Sequence, residues 1–124
     1  MKKTIVVVDD FENTRWVVEF SLRSLNCEIL KAENGQSALK FFDGRNIDLL
    51  ITDYNMPVMD GALLVEEVRK LTNYQYIPAL MLTTETNERK KQKAKDVKVT
   101  AWIQKPFKNE EFLSIVKRCL RIES

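Results

Sequence analysis

The chain predicts an α/β fold built on a five-stranded parallel sheet, and three observations carry that prediction. Short apolar runs recur five times, at residues 4–8, 27–32, 49–51, 79–82 and 101–103, as buried parallel strands require. Helical stretches separate them, giving five βα units with no linker, repeat or low-complexity segment between. The first and third runs end in acids, Asp9-Asp10 and Asp53, at the carboxyl edge where open α/β sheets bind ligands. Right-handed crossovers then put helices on both faces and favour the order 2-1-3-4-5.

The elements follow in order. Thr4 to Val8 is a β-branched strand. A helix from about Thr14 to Leu25 offers Val17, Val18, Ser21, Leu22 and Leu25 as its inward face, with Phe20 off that face and Trp16 partly exposed. Cys27 to Ala32 is a weaker second strand. Asn34-Gly35 turns the chain into a helix carrying Ala38, Leu39 and Phe42, which Asp43-Gly44 ends. After the third strand, Pro57 and Gly61 force an irregular turn, and Asp60 caps a helix with Leu64, Val68 and Leu71 at i, i+4 and i+7. Ala79 to Leu82 is the fourth strand, ending in Thr83-Thr84-Glu85. A charged helix covers about Asn87 to Asp96, with Lys91, Lys95 and Lys98 on one face, a solvated stripe that would also suit an acidic partner. Ala101-Trp102-Ile103 leads to Gln104-Lys105-Pro106-Phe107, and Asn109 caps a last helix with Phe112, Leu113, Val116 and Leu120 inward. Five strands in this length fit a flavodoxin-like sheet whose switch point lies between strands one and three.

Composition narrows the chemistry. At 124 residues the chain is one domain, expected as a single unit over 1–124 with any output on a separate protein. Lys and Arg number 20 against 18 Asp and Glu, so charge gives no case for nucleic acid. Cys27 and Cys119 suit neither a disulfide framework nor a zinc site. No apolar run approaches membrane-spanning length and no signal peptide precedes the first strand, which points to the cytoplasm. The chain has no histidine, which removes Ser-His and Cys-His catalysis and the commonest metal ligand. A metal held here must be a hard cation on oxygen ligands.

Asp9, Asp10 and Asp53 converge at the switch point. Like carboxylates repel by about 4 kcal/mol per pair at 4 Å and an effective dielectric near 20. Such a cluster needs a cation, and oxygen ligands alone describe Mg²⁺, with Ca²⁺ or Mn²⁺ possible. Lys105 and Thr83 end neighbouring strands at the same edge. A cation, a lysine and a hydroxyl around a carboxylate suit a transferring phosphoryl group. Singly, each residue has an ordinary reading: an acid can cap a helix, Thr83 can be a satisfied strand-end hydroxyl, Lys105 can be solvated, and Trp102 can be cover for the last helix.

Val8-Asp9-Asp10, Asp53-Tyr-Asn-Met-Pro57 with Gly61, Leu82-Thr83 and Lys105-Pro106-Phe107 stand in order at four strand ends. Together they resemble the receiver domain of bacterial response regulators, of the single-domain, CheY-like chemotaxis type, over essentially the whole chain. The resemblance implies Asp53 as phosphoacceptor from the phosphohistidine of a sensor histidine kinase, with Mg²⁺ as cofactor. It implies Asp10 as a direct Mg²⁺ ligand, Asp9 acting largely through water, and the backbone carbonyl of Asn55 as a further ligand. Lys105 would contact the phosphoryl oxygens beside a cis bond to Pro106. Thr83 would turn inward to the phosphoryl group, with Trp102 as the aromatic switch residue. A downstream target would dock on the fourth helix, fifth strand and fifth helix. Asn55 and Glu85 match the pair flanking the site in chemotaxis-type receivers. Lys98-Val99, where the family has Gly-Ala, and Thr84, where it commonly has Ala, depart from the pattern.

Three functions compete on these residues. The first is a phosphorylatable signalling receiver, in chemotaxis, another motility system or a phosphorelay. The second is a small Mg²⁺-dependent phosphohydrolase with an aspartyl nucleophile, which would place a second acid where Asn55 stands. The third is a flavin carrier, whose phosphate loop Asp9-Asp10 would repel. The receiver is the reading adopted.

Overall fold

The computed structural model describes residues 2–122; Met1, Glu123 and Ser124, the ends of the predicted 1–124 unit, lie outside them. Five parallel strands form one sheet in the order β2-β1-β3-β4-β5, as the sequence predicts. They are β1 (Thr4–Val8), β2 (Glu28–Ala32), β3 (Leu49–Thr52), β4 (Ala79–Thr83) and β5 (Ala101–Gln104). The helices are α1 (Glu12–Leu22), α2 (Gly35–Leu39), α3 (Gly61–Arg69), α4 (Glu88–Asp96) and α5 (Asn109–Leu120), with short 3₁₀ turns after α1 and α3.

Alternation along the buried strands divides the core in two. Ile5, Val7, Leu49, Ile51, Leu80, Leu82 and Ile103 face α1 and α5, meeting Val18, Leu22, Phe112, Val116 and Leu120. Val6, Val8, Leu50 and Ala79 face the other way, toward Ala38 of α2 and Leu64, Val65 and Val68 of α3. A third, smaller cluster joins Tyr54, Ala62 and Met81 to Ala94 of α4, with Trp102 packed against it. The register Val8↔Thr52 levels the ends of β1 and β3, and Thr83↔Gln104 those of β4 and β5 two residues further on, which places the residues that follow along one edge.

Several local expectations are corrected. Val17 is exposed, because α1 starts at Glu12 and turns Val18 and Leu22 to the sheet, leaving Val17 about 100° round the helix. α2 is only five residues long, so Phe42 reaches the core from the chain beyond it. α3 stops at Arg69; Leu71 has extended backbone and is exposed, and does not continue the helical face. Asn109 is the first residue of α5, and Lys108 occupies the capping position without a side-chain cap. Asp60 and Asn87 do cap α3 and α4, accepting from Leu63 N and Lys90 N. Lys98 lies past the end of α4 at φ 67°, so it does not continue the Lys91–Lys95 face.

Candidate functional site

Backbone hydrogen bonds beyond the regular ladders set the edge. Asp9 N donates to Ala32 O at 3.2 Å and Asp53 N to Val8 O at 3.0 Å, locking the acids after β1 and β3 side by side. Lys105 N donates to Thr83 O at 2.8 Å, which holds the loop after β5 against the end of β4. One carboxylate oxygen from each of Asp9, Asp10 and Asp53 lies within 4.8 Å of the others. Gly61 closes the turn after β3: its N–H donates to Tyr54 O at 2.7 Å, and a Cβ there would collide with the carbonyl of Asp53. The Lys105–Pro106 bond is cis, as expected.

Lys105 is the cation of the cluster. Its Nζ donates to Asp9 Oδ2 at 2.8 Å and stands 3.6 Å from Asp53 Oδ2. Asp9 Oδ1 accepts from Phe11 N at 3.0 Å, so Asp9 is turned toward its own loop, although the helix begins later. Burial pushes the Asp9 carboxyl above its usual value, and the bonds from Lys105 and Phe11 N oppose that without cancelling it. Asp53 Oδ1 accepts from Tyr54 N at 2.7 Å. Among the described residues its Oδ2 has no hydrogen bond, only the nearby ammonium of Lys105.

Asp10 tests the fit of a metal. Its Oδ1 is enclosed and has no hydrogen-bond partner among the described residues. A shielded carboxylate oxygen beside two more carboxylates costs free energy unless a cation meets it. With oxygen donors only, the set fits Mg²⁺.

Of the remaining predicted residues, Thr83 at the end of β4 and Asn55 in the loop after β3 lie beside this cluster, while Trp102 packs on the separate group of Tyr54, Ala62, Met81 and Ala94. Thr83 is fully buried, and its Oγ1 accepts from Glu85 N at 3.2 Å. Trp102 is half-buried, its ring 5.9 Å from Tyr54 and beneath Lys91 Nζ at 5.8 Å. Its indole N–H is enclosed without a partner among the described residues. Asn55 is exposed at the mouth, where its side chain meets Glu85 and Lys90. Thr84 is exposed and borders a groove between α1 and the loop after β5, with Val17, Phe20, Pro106 and Phe107 as its apolar lining.

Sequence reasoning missed two contributors. Arg15 Nη1 donates to the backbone carbonyl of Asp9 at 2.6 Å. Lys90 donates to Glu85 at 2.9 Å and Asn55 at 3.0 Å, and its five-residue spacing from Glu85 matches no helical pair because Glu85 precedes α4. The sequence shows an irregular turn after β3 without its form; Met59 N donates to Pro57 O at 2.7 Å across Val58, which holds φ 70°.

Comparison with known proteins agrees with this fold. Residues 5–117 match the model of the response regulator receiver domain. The chemotaxis protein CheY of Pseudomonas aeruginosa is 35% identical over 104 residues, covering 83% of this chain and 84% of that protein. The Helicobacter pylori sensor histidine kinase CheAY is 28% identical over 121 residues; the match takes in 96% of this chain but spans only 15% of that protein. Among solved structures, Vibrio cholerae CheY4 superposes with a TM-score of 0.90 at 38% identity, over 97% of this chain and all of that one. The receiver domain of the sensor histidine kinase PA1611 of P. aeruginosa, solved with a magnesium ion coordinated in its active site cleft, superposes with a TM-score of 0.88 at 25% identity over 98% and 99% of the two chains.

Proposed function

This chain belongs to the response regulator receiver family and serves two-component signalling; on that premise we propose that Asp53 accepts a phosphoryl group from a sensor histidine kinase and that the acyl phosphate switches a protein-binding face in a cytoplasmic chemotaxis pathway. The observation that carries the proposal is the cluster itself: three carboxylates within 4.8 Å, a lysine between two of them and an enclosed Asp10 oxygen with no partner among the described residues.

In the proposed transfer, Asp53 Oδ2 attacks phosphorus as the bond to the partner's imidazole nitrogen breaks, and the imidazole leaves as the neutral base after taking up a proton. Asp10, Asp53 and the backbone carbonyl of Asn55 would hold Mg²⁺, with Asp9 acting largely through water. Bound there, Mg²⁺ supplies positive charge to the phosphoryl oxygens and relieves carboxylate repulsion. Lys105 stands 3.6 Å from Asp53 Oδ2, close enough to follow the charge onto a phosphoryl oxygen. The apolar groove beside it gives the phosphodonor a floor against which to dock.

Phosphorylation adds charge and acceptor oxygens at Asp53. The Thr83 hydroxyl, bonded now to Glu85 N, would leave that amide for a phosphoryl oxygen. Trp102, whose indole N–H has no partner among the described residues, is the side chain free to repack when the loop after β4 moves, and that carries the change to the face formed by α4, β5 and α5. A downstream target would read that face.

The phosphohydrolase reading lacks its second acid: position 55 holds an amide committed to Glu85 and Lys90. Mg²⁺-dependent labelling with acetyl phosphate tests the proposal. Wild type is expected to gain one phosphoryl group, and Asp53→Asn and Asp10→Ala none. Undiminished labelling of Asp53→Asn would sink the assignment.

A further inference from the structure

Glu85 collects four donors on one carboxylate. Asn55 Nδ2 and Lys90 Nζ both reach Oε1 at 2.9 Å, and the backbone N–H groups of Thr86 and Asn87 reach Oε2 at 3.0 and 2.9 Å. Lys90 closes the ring by donating to Asn55 Oδ1 at 3.0 Å, so one ammonium ties the loop after β3 to the loop after β4. Its own backbone is fixed by the helix cap, since Lys90 N donates to Asn87 Oδ1 at 3.1 Å. The ammonium also stands over the Tyr54 ring, with Nζ 5.5 Å from its centroid. The circuit meets the switch at one atom: Glu85 N is the donor that holds Thr83 Oγ1.

We propose that Lys90 is a positioning residue, a latch that anchors Glu85 and so holds the Thr83 loop in its resting place; this rests on the phosphoacceptor reading above. For the Thr83 hydroxyl to reach a phosphoryl oxygen it must let go of Glu85 N, and Glu85 is pinned by Lys90 and Asn55. The latch therefore opposes the active arrangement. Its donors hold the Glu85 carboxyl down at about 2, so the latch stays charged across neutral pH and responds to salt instead. Lys90 is 41% exposed, which leaves the pair open to screening.

Titration with beryllium trifluoride in the presence of Mg²⁺, followed by calorimetry, measures the balance at equilibrium with a phosphoryl mimic. Lys90→Met keeps an unbranched apolar stem and removes the donors. It should bind the mimic about two- to five-fold more tightly, the range that a partly exposed pair supports. Lys90→Arg should restore wild-type affinity. Molar NaCl should move wild type toward Lys90→Met and so close the gap between them, which a merely structural role would not produce. Unchanged or weaker affinity in Lys90→Met overturns the latch. Acetyl phosphate labelling of the same samples separates the failures: normal labelling with unmoved affinity overturns only the latch, whereas an unlabelled wild type overturns the phosphoacceptor reading and the latch with it.

Discussion

Helices α4 and α5 flank the same strand and are held by opposite means. α5 drives Phe112, Val116 and Leu120 into the core formed by β1, β3, β4, β5 and α1. α4 buries one residue, Ala94, among Tyr54, Ala62 and Met81. Polar contacts supply what packing does not: the Asn87 cap, the Lys90–Glu85–Asn55 ring and Lys91 over Trp102. Apolar burial is non-directional and hard to trade away, whereas charged contacts can be exchanged for others of similar strength. The helix that follows the loop after β4 is thus the one that can move without opening the core, and local stability tracks buried apolar contact.

Truncations at the two helices test this contrast, and the largest effect belongs to α5. Phe112→Ala should cost about 3–5 kcal/mol of global stability in urea unfolding. Ala94→Gly, the matching change in α4, should cost about 1 kcal/mol, chiefly in helix propensity. Equal losses would mean that α4 is packed as firmly as α5.

A second measurement leaves both helices intact and loads the edge they share. Mg²⁺ at 10–100 times its Kd should stabilise the protein by about 1.4–2.7 kcal/mol, and chelation should reverse the gain. The gain should shrink as pH falls from 7 toward 4. Burial raises the Asp9 carboxyl, so in the metal-free protein Asp9 binds its proton at higher pH than in the unfolded chain. Its ionisation in the folded state is disfavoured above the unfolded value of 3.8, and that cost is relieved as pH drops through the raised value. A cation competes with that proton, hence the direction. Stabilisation independent of pH would place the cation away from Asp9.

The smallest effect concerns the end of α4. Lys98 adopts φ 67° where its N–H bonds Lys95 O, a position that suits glycine. Lys98→Gly should stabilise the protein by about 0.5–1 kcal/mol and should leave Mg²⁺ binding unchanged. Destabilisation would show that the Lys98 side chain supports α4 in a way its backbone does not reveal.

The same contrast governs what the sequence could reveal. α5 was legible because Phe112, Val116 and Leu120 repeat at i, i+4 and i+8, and burial enforces that pattern. The acids and Lys105 were legible because short, largely apolar runs stop at or just before them and parallel order brings their ends to one edge. α4 was visible as a charged helix, but not the latch, since side chains pairing across two loops leave no period. Boundaries failed where local geometry decides: Leu71 follows a helix that ends two residues earlier, and Lys98 needs the left-handed turn that its side chain disfavours. The α1 face failed at Val17 because neighbouring valines are equally apolar and only the helix start sets which one turns inward.

Amide hydrogen exchange with and without acetyl phosphate and Mg²⁺ tests most directly the claim that phosphorylation at Asp53 acts through α4. Exchange should change in residues 83–96, from Thr83 through α4, while α5 amides keep their protection, and Asp53→Asn should show no change. Equal changes in both helices, or a response confined to α5, would contradict the account.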